Sequence, residues 1–281
     1  MVFLSFHTVS EVGGICQNEN MTAKQKHTTN KSTIKNDLEK QVQTVLTSLR
    51  RRSSKRTREE MGPRYGVFTD KAFGVKMADI QQVAKQVGRN HELAAALWKT
   101  GWYEARMLTA FIEEPELVTS AQMDRWCRDF DNWGICDTLC FHLFDLSPYA
   151  FGKVVKWSKS REEFVKRAAF ALLACLALHD KKATDEQFKQ CLPLIERAAS
   201  DERNFVKKGV SWALRLVGRR NFALNQAAVE LSRRLAAADE QPARWIGKAA
   251  LKELTNPVLV KKLGARAASL KEKKLRASLL V

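Results

Sequence analysis

Near the middle of the chain, Trp133 and Asp137 stand four residues apart in the stretch Phe130-Asp131-Asn132-Trp133-Gly134-Ile135-Cys136-Asp137. Asp131 and Asn132 are good N-cap residues, and the apolar run after them can wind into a helix. Residues four apart on a helix share a face, so an indole and a carboxylate point the same way from the first turn. A carboxylate so placed can stabilise a developing positive charge and position a water, and the face of an indole attracts a cation. The plain alternative is a half-buried tryptophan packing on a neighbouring helix, with Asp137 merely a carboxylate favoured by the helix dipole. The choice depends on whether that face looks into the core or into a basic groove.

Composition bears on that choice. The 281 residues carry 48 Lys and Arg against 31 Asp and Glu, a formal charge of +17. Such an excess points to a polyanion, nucleic acid before an anionic membrane surface. The positive charge recurs along the whole chain instead of gathering on one amphipathic helix, as a membrane-surface protein would require. No stretch approaches the roughly 18 apolar residues that span a bilayer. The six cysteines (Cys16, Cys127, Cys136, Cys140, Cys175 and Cys191) form no CxxC pair and fall mostly in apolar helical runs. They read as reduced, buried thiols in a cytosolic or nuclear setting. A zinc site from Cys127, Cys136, Cys140 and His142 lacks the usual ligand spacing.

The elements that must position these residues are helices throughout. Residues 1–32 read as a disordered tail with no signal-peptide layout, and residues 33–73 as one helix followed by a basic linker and a loop broken by Gly62-Pro63, Gly66 and Gly74. From residue 74 to the end, helical segments of roughly 10–18 residues follow one another, separated by helix punctuation at Gly88, Gly101, Pro115, Pro148, Asp201 and Gly218. No alternating apolar–polar run argues for a strand. Phe164-Val165-Lys166-Arg167-Ala168-Ala169 recurs 41 positions later as Phe205-Val206-Lys207-Lys208-Gly209-Val210. A period near 40 is that of a HEAT-type helical pair, with Glu162–Leu178 pairing with Asp185–Ala199 and Asn204–Val217 with Phe222–Ala238. The expected fold is all-α, a HEAT-like helical-repeat solenoid in which equivalent basic residues line a concave basic groove.

The ordered combination of Asp131-Asn132-Trp133-Gly134-Ile135-Cys136-Asp137, the Phe164–Ala169 motif, and Phe205-Val206-Lys207-Lys208-Gly209-Val210-Ser211-Trp212-Ala213-Leu214-Arg215 resembles the AlkD family of DNA alkylation repair glycosylases. The resemblance covers about residues 74–250. Carried over by position, the family's Trp-x-x-x-Asp pair falls on Trp133 and Asp137, its arginine on Arg167 with Lys166 beside it, and its second tryptophan on Trp212. The spacings depart from the family's on both sides of Arg167, and the first seventy residues have no counterpart in it.

What the resemblance implies is an enzyme that excises cationic N3- or N7-alkylated purines from duplex DNA by hydrolysing the N-glycosidic bond, leaving the base stacked. An alkylated purine is already a good leaving group. Asp137 would stabilise oxocarbenium character on the deoxyribose and position a water, and Trp133 and Trp212 would wall the sugar. Arg167 would anchor a phosphate, with Lys166, Lys207, Lys208 and Arg215 as further DNA-binding residues. No metal or organic cofactor is implied, no obligate protein partner, and the expected form is a monomer in the cytoplasm, nucleoid-associated if bacterial. Two other classes stay open: a HEAT-repeat module that binds nucleic acid without cleaving it, and a scaffold for an acidic protein.

Overall fold

The computed structural model describes residues 35–278; the N-terminal tail read as disordered lies outside them. Among the described residues every regular element is helical. They are α1 (35–51), α2 (Lys55–Tyr65), α3 (Met77–Val87), α4 (His91–Lys99), α5 (Tyr103–Ile112), α6 (Ser120–Arg128), α7 (Trp133–His142), α8 (Ala150–Trp157), α9 (Glu163–His179), α10 (Asp185–Ala198), α11 (Asn204–Arg220), α12 (Phe222–Ala236), α13 (Gln241–Leu254) and α14 (Pro257–Ser278). Among the described residues no helix is long and apolar enough to cross a membrane.

Two expected element boundaries are corrected. Residues 55–65, read as linker and loop, form α2. Ser54 caps its first turn through a bond from the Thr57 N–H, Pro63 is accommodated near the end, and Gly66 closes it at φ 64°. Gly218 does not end α11, which runs on to Arg220. A Cβ at residue 218 would lie 2.6 Å from a Leu254 methyl and 2.9 Å from Ala228 Cβ. That glycine serves close helix packing, not termination.

The core is organised on α9. Every residue from Ala168 to Ala177 is buried, which marks a helix surrounded on all sides by protein. Its buried leucines, Leu172, Leu173 and Leu176, each contribute about 1.5–3 kcal/mol by leaving water. It packs chiefly against α7, α8 and α11, whereas α10 lies against α8, α11 and α12. The expected pairing of α9 with α10 therefore gives way to a unit of α8 with α9, while α11 and α12 do pack together. The repeat register read from the sequence survives: the Phe164 and Phe205 rings, 41 residues apart, meet at 5.3 Å. Helices α5, α7, α9, α11 and α13 contact one another in succession, giving one layer whose N-terminal ends carry the residues of interest.

Candidate nucleic-acid site

Asn132 caps α7, its side-chain oxygen accepting from the Ile135 N–H at 3.0 Å. The cap fixes the first turn and so the direction of Trp133 and Asp137. Gly134 lies close under Tyr103: a Cβ there would be 2.6 Å from the Tyr103 hydroxyl, and that side chain would have to shift. The Trp133 indole N–H donates to the Tyr65 carbonyl at 2.7 Å, which ties α7 to the end of α2. Below this surface the thiols of Cys136 and Cys140 are fully buried. They point at the α9 carbonyls of Phe164 and Ala168, at 3.8 and 3.6 Å.

On the next helix Arg167 is buried. It meets Asp137 with two parallel hydrogen bonds, Nε to Oδ1 at 2.9 Å and Nη2 to Oδ2 at 2.6 Å, and its Nη1 donates to the Phe205 carbonyl at 2.7 Å. Gly209 of α11 packs directly on Arg167, its Cβ position lying in ordinary contact at 3.5 Å from both Arg167 Cγ and the Arg167 carbonyl. Burial pushes the Asp137 carboxyl up from the ordinary aspartate range, and the Arg167 guanidinium pulls the other way. The fork geometry is that of an ionised pair. A guanidinium has five N–H donors, so two on Arg167 remain beyond these three bonds.

These side chains open onto one pocket of about 420 Å³, lined by Trp133 and Asp137 from α7, Arg167 from α9, Phe205, Lys208 and Trp212 from α11, and Arg64 and Tyr65 from α2. Both tryptophans are half-buried, and Arg64 and Lys208 are exposed at the rim. A carboxylate and two indoles thus converge from α7 and α11, with a cationic rim from α2 and α11. Arg167 and Lys208 hold equivalent positions in the 41-residue repeat, and both line the pocket.

The other expected DNA-binding residues stand apart from it. Lys166 bonds Asp201 at 3.0 Å. Lys207 sits 5.2 Å over the exposed Trp245 ring. Arg215 pairs with Glu253 at 2.8 Å, a carboxylate it shares with Arg219. Arg64 and Tyr65 are members the sequence reading missed. The signal was present in the Lys55–Glu59 and Arg56–Glu60 pairs, which the structure forms at i,i+4 spacing, a helix-supporting pattern that outweighs one late proline. Among the described residues no group of His, Cys, Asp and Glu is arranged to hold a metal ion.

The model of the DNA alkylation repair enzyme family matches residues 45–254. The chain is similar to a solved structure described as "A new family of proteins related to the HEAT-like repeat DNA glycosylases with affinity for branched DNA structures", with TM-score 0.62 and 20% identity over 73% of this chain and 92% of that one. A designed armadillo repeat protein in complex with the peptide (KR)4 overlaps more loosely, with TM-score 0.32 and 14% identity over 69% of this chain and 83% of that one. A comparison with curated proteins finds no match. The fold is HEAT-like. With its family's model matched over most of its length, the chain belongs to the DNA alkylation repair enzyme family.

Proposed function

We propose that the protein is a DNA glycosylase that releases positively charged N3- or N7-alkylated adenine and guanine from duplex DNA. The observation that carries this reading is the placement of the Asp137 carboxylate in one pocket with both Trp133 and Trp212. The reaction is hydrolysis. The C–N bond breaks with its electron pair leaving on the now neutral base, water adds to the anomeric carbon, and a proton is released, leaving an abasic sugar. Asp137, held ionised by Arg167, faces the positive charge that builds on the sugar and orients the water. The indoles flank the sugar and favour its cationic character. The remaining Arg167 donors, with Lys208 and Arg64, hold phosphates. The base carries its own positive charge and needs no protonating acid, so it can depart without being flipped into a pocket.

The test is release of free alkylated base from methylated duplex DNA by the wild type and by Asp137→Asn, with DNA affinity measured for both. The reading expects release by the wild type only, at comparable affinities. Equal release, or none from either, removes it. A second reading, binding without cleavage, draws support from the engagement of both Asp137 oxygens by Arg167 and from the branched-DNA affinity in the description of the similar structure. It expects no release from any variant and tighter binding to a four-way junction than to plain duplex.

A further inference from the structure

The pocket around Asp137 is one end of a longer trough. A second cavity of about 800 Å³ adjoins it, with Trp212 in the walls of both. The same three helices line the two. On α7, Trp133 and Asp137 face the first cavity and Phe141 the second. On α9, Arg167 faces the first and Leu178 the second. On α11, Phe205 and Lys208 face the first, Trp212 both, and Leu216 and Arg219 the second. Each helix thus gives its N-terminal half to one cavity and its C-terminal half to the other. The α11 residues follow the spacing of a single helical face, and from Phe205 to Arg219 that face is about 21 Å long at 1.5 Å per residue. A nucleic-acid strand advances about 3.4 Å per phosphate, so the trough matches roughly six nucleotides.

The second cavity is also cationic. Lys181, Arg219, Arg220 and Arg266 line it against one carboxylate, Asp185. Arg220 is tied to the carbonyls of Ala177 and Ala183, and Arg219 shares Glu253 with Arg215. Lys181, whose ammonium also donates to the Leu178 carbonyl, and Arg266 are exposed. Arg266 comes from α14, which is held down by the buried Leu263 and lies beyond the span matched by the family. Aromatic and aliphatic side chains between cations along a groove are the makings of a nucleic-acid track.

We infer that the trough continues past Trp212 as a second nucleic-acid subsite, in which Lys181, Arg219 and Arg266 hold backbone phosphates of the DNA flanking the alkylated nucleotide and α14 forms the end wall. The inference rests on the proposed reading for what occupies the first cavity.

The experiment compares the wild type with a Lys181→Gln, Arg266→Gln double variant. Both side chains are exposed, and circular dichroism checks that the fold is kept. Affinity for a fluorescent alkylated duplex is measured across salt concentrations, then for duplexes shortened on one side or the other of the lesion. Losing two phosphate contacts should flatten the slope of log affinity against log salt by about 1.8, at about 0.9 per contact. The wild type should lose affinity when the duplex is shortened on one side, and the double variant should be indifferent to that same shortening. An unchanged slope, or equal sensitivity to shortening in both proteins, overturns the subsite. If binding behaves as expected while neither the wild type nor Asp137→Asn releases base, the glycosylase reading fails and the subsite stands. If the wild type binds no duplex, both fail.

Discussion

Asp137 and Arg167 occupy facing turns of α7 and α9 and bond each other twice, Arg167 reaching on to the Phe205 carbonyl of α11. One ion pair thus joins three consecutive inner helices at the place where the proposed chemistry happens. Its members should fail differently. Arg167→Ala leaves the partly buried Asp137 carboxylate without its partner and should cost up to about 3–5 kcal/mol, visible as a large drop in the denaturant midpoint. Asp137→Asn keeps the shape but sets an amide donor against a guanidinium donor and leaves the buried Arg167 charge unpaired, so it should cost about 1.5–3 kcal/mol while abolishing base release. Arg167→Lys keeps the charge without the fork, and should fall between the two in stability. If Arg167→Ala melts like the wild type, the pair does not hold these helices.

The bond from the Trp133 indole to the Tyr65 carbonyl is the tie between the inner helices and α2. Trp133 and Tyr103 also pack on the small cluster of Met61, Val67 and Ala72. In Trp133→Phe the ring persists and the donor is lost, leaving the helix-end carbonyl without its partner. The expected cost is about 1 kcal/mol. Amide exchange should quicken in residues 55–66 and hold steady in α9, whereas uniform quickening would show that Trp133 acts through the whole core.

Glu104 has a structural task beside this tie. Its fully buried carboxylate accepts N–H bonds from Phe73, Gly74 and Val75 at 2.7–3.1 Å, fixing the segment between α2 and α3. Gly74 has φ 78°, and a Cβ there would lie 2.5 Å from the Ser54 carbonyl. Glu104→Gln, which replaces one acceptor oxygen by a donor facing donors, should cost about 1.5–3 kcal/mol, and Gly74→Ala should also destabilise. Urea titration reads both, and a midpoint unchanged in Glu104→Gln would contradict the assignment.

Much of this was legible in the sequence, and the exceptions have a common cause. Trp133, Asp137, Arg167, Lys208 and Trp212 meet in one pocket because helical spacing and a 41-residue repeat fix which faces coincide, and both are properties of residue order. The misread places were glycines. Gly62 and Gly218 look like helix breakers, yet both lie inside helices, and at residue 218 a Cβ would meet Leu254, 36 residues on, at 2.6 Å. Whether a glycine ends a helix or admits a neighbour depends on what packs against it from far along the chain. The partners of Lys166 and Arg215 were hidden for the same reason. Asp201 and Glu253 lie 35 and 38 residues away, and no local pattern marks them.

Acid stability should carry the mark of two carboxylates. The Arg203 side chain, with Lys166, holds Asp201 down to about 2. Burial raises Asp124, but its bonds from Lys153, Lys156 and Trp157 outweigh that and bring it to about 2. Each folded-state value lies below the unfolded one, near 4. The stabilisation is therefore complete above the unfolded value and is lost as pH falls toward 2. Asp124→Asn and Asp201→Asn should each lower stability at neutral pH and flatten the decline between about pH 4 and 2. Parallel acid profiles for wild type and variants would rule this out.

Lys166 and Lys208 separate structural from DNA-facing charge. They come from related motifs in successive repeats, yet Lys166 is bonded to Asp201 and Lys208 stands exposed at the rim of the Asp137 pocket. Lys208→Met should weaken duplex binding and flatten the salt slope by about 0.9, with little change in the denaturant midpoint. Lys166→Met should lower the midpoint, because Asp201 keeps only Arg203 as a charged partner, and should leave the salt slope where it was. Direct titration of both variants on the same duplex decides the matter. Equal slopes in the two would mean that phosphates do not distinguish a lysine facing the pocket from one already paired, and Lys208 would lose its place in the proposed interface.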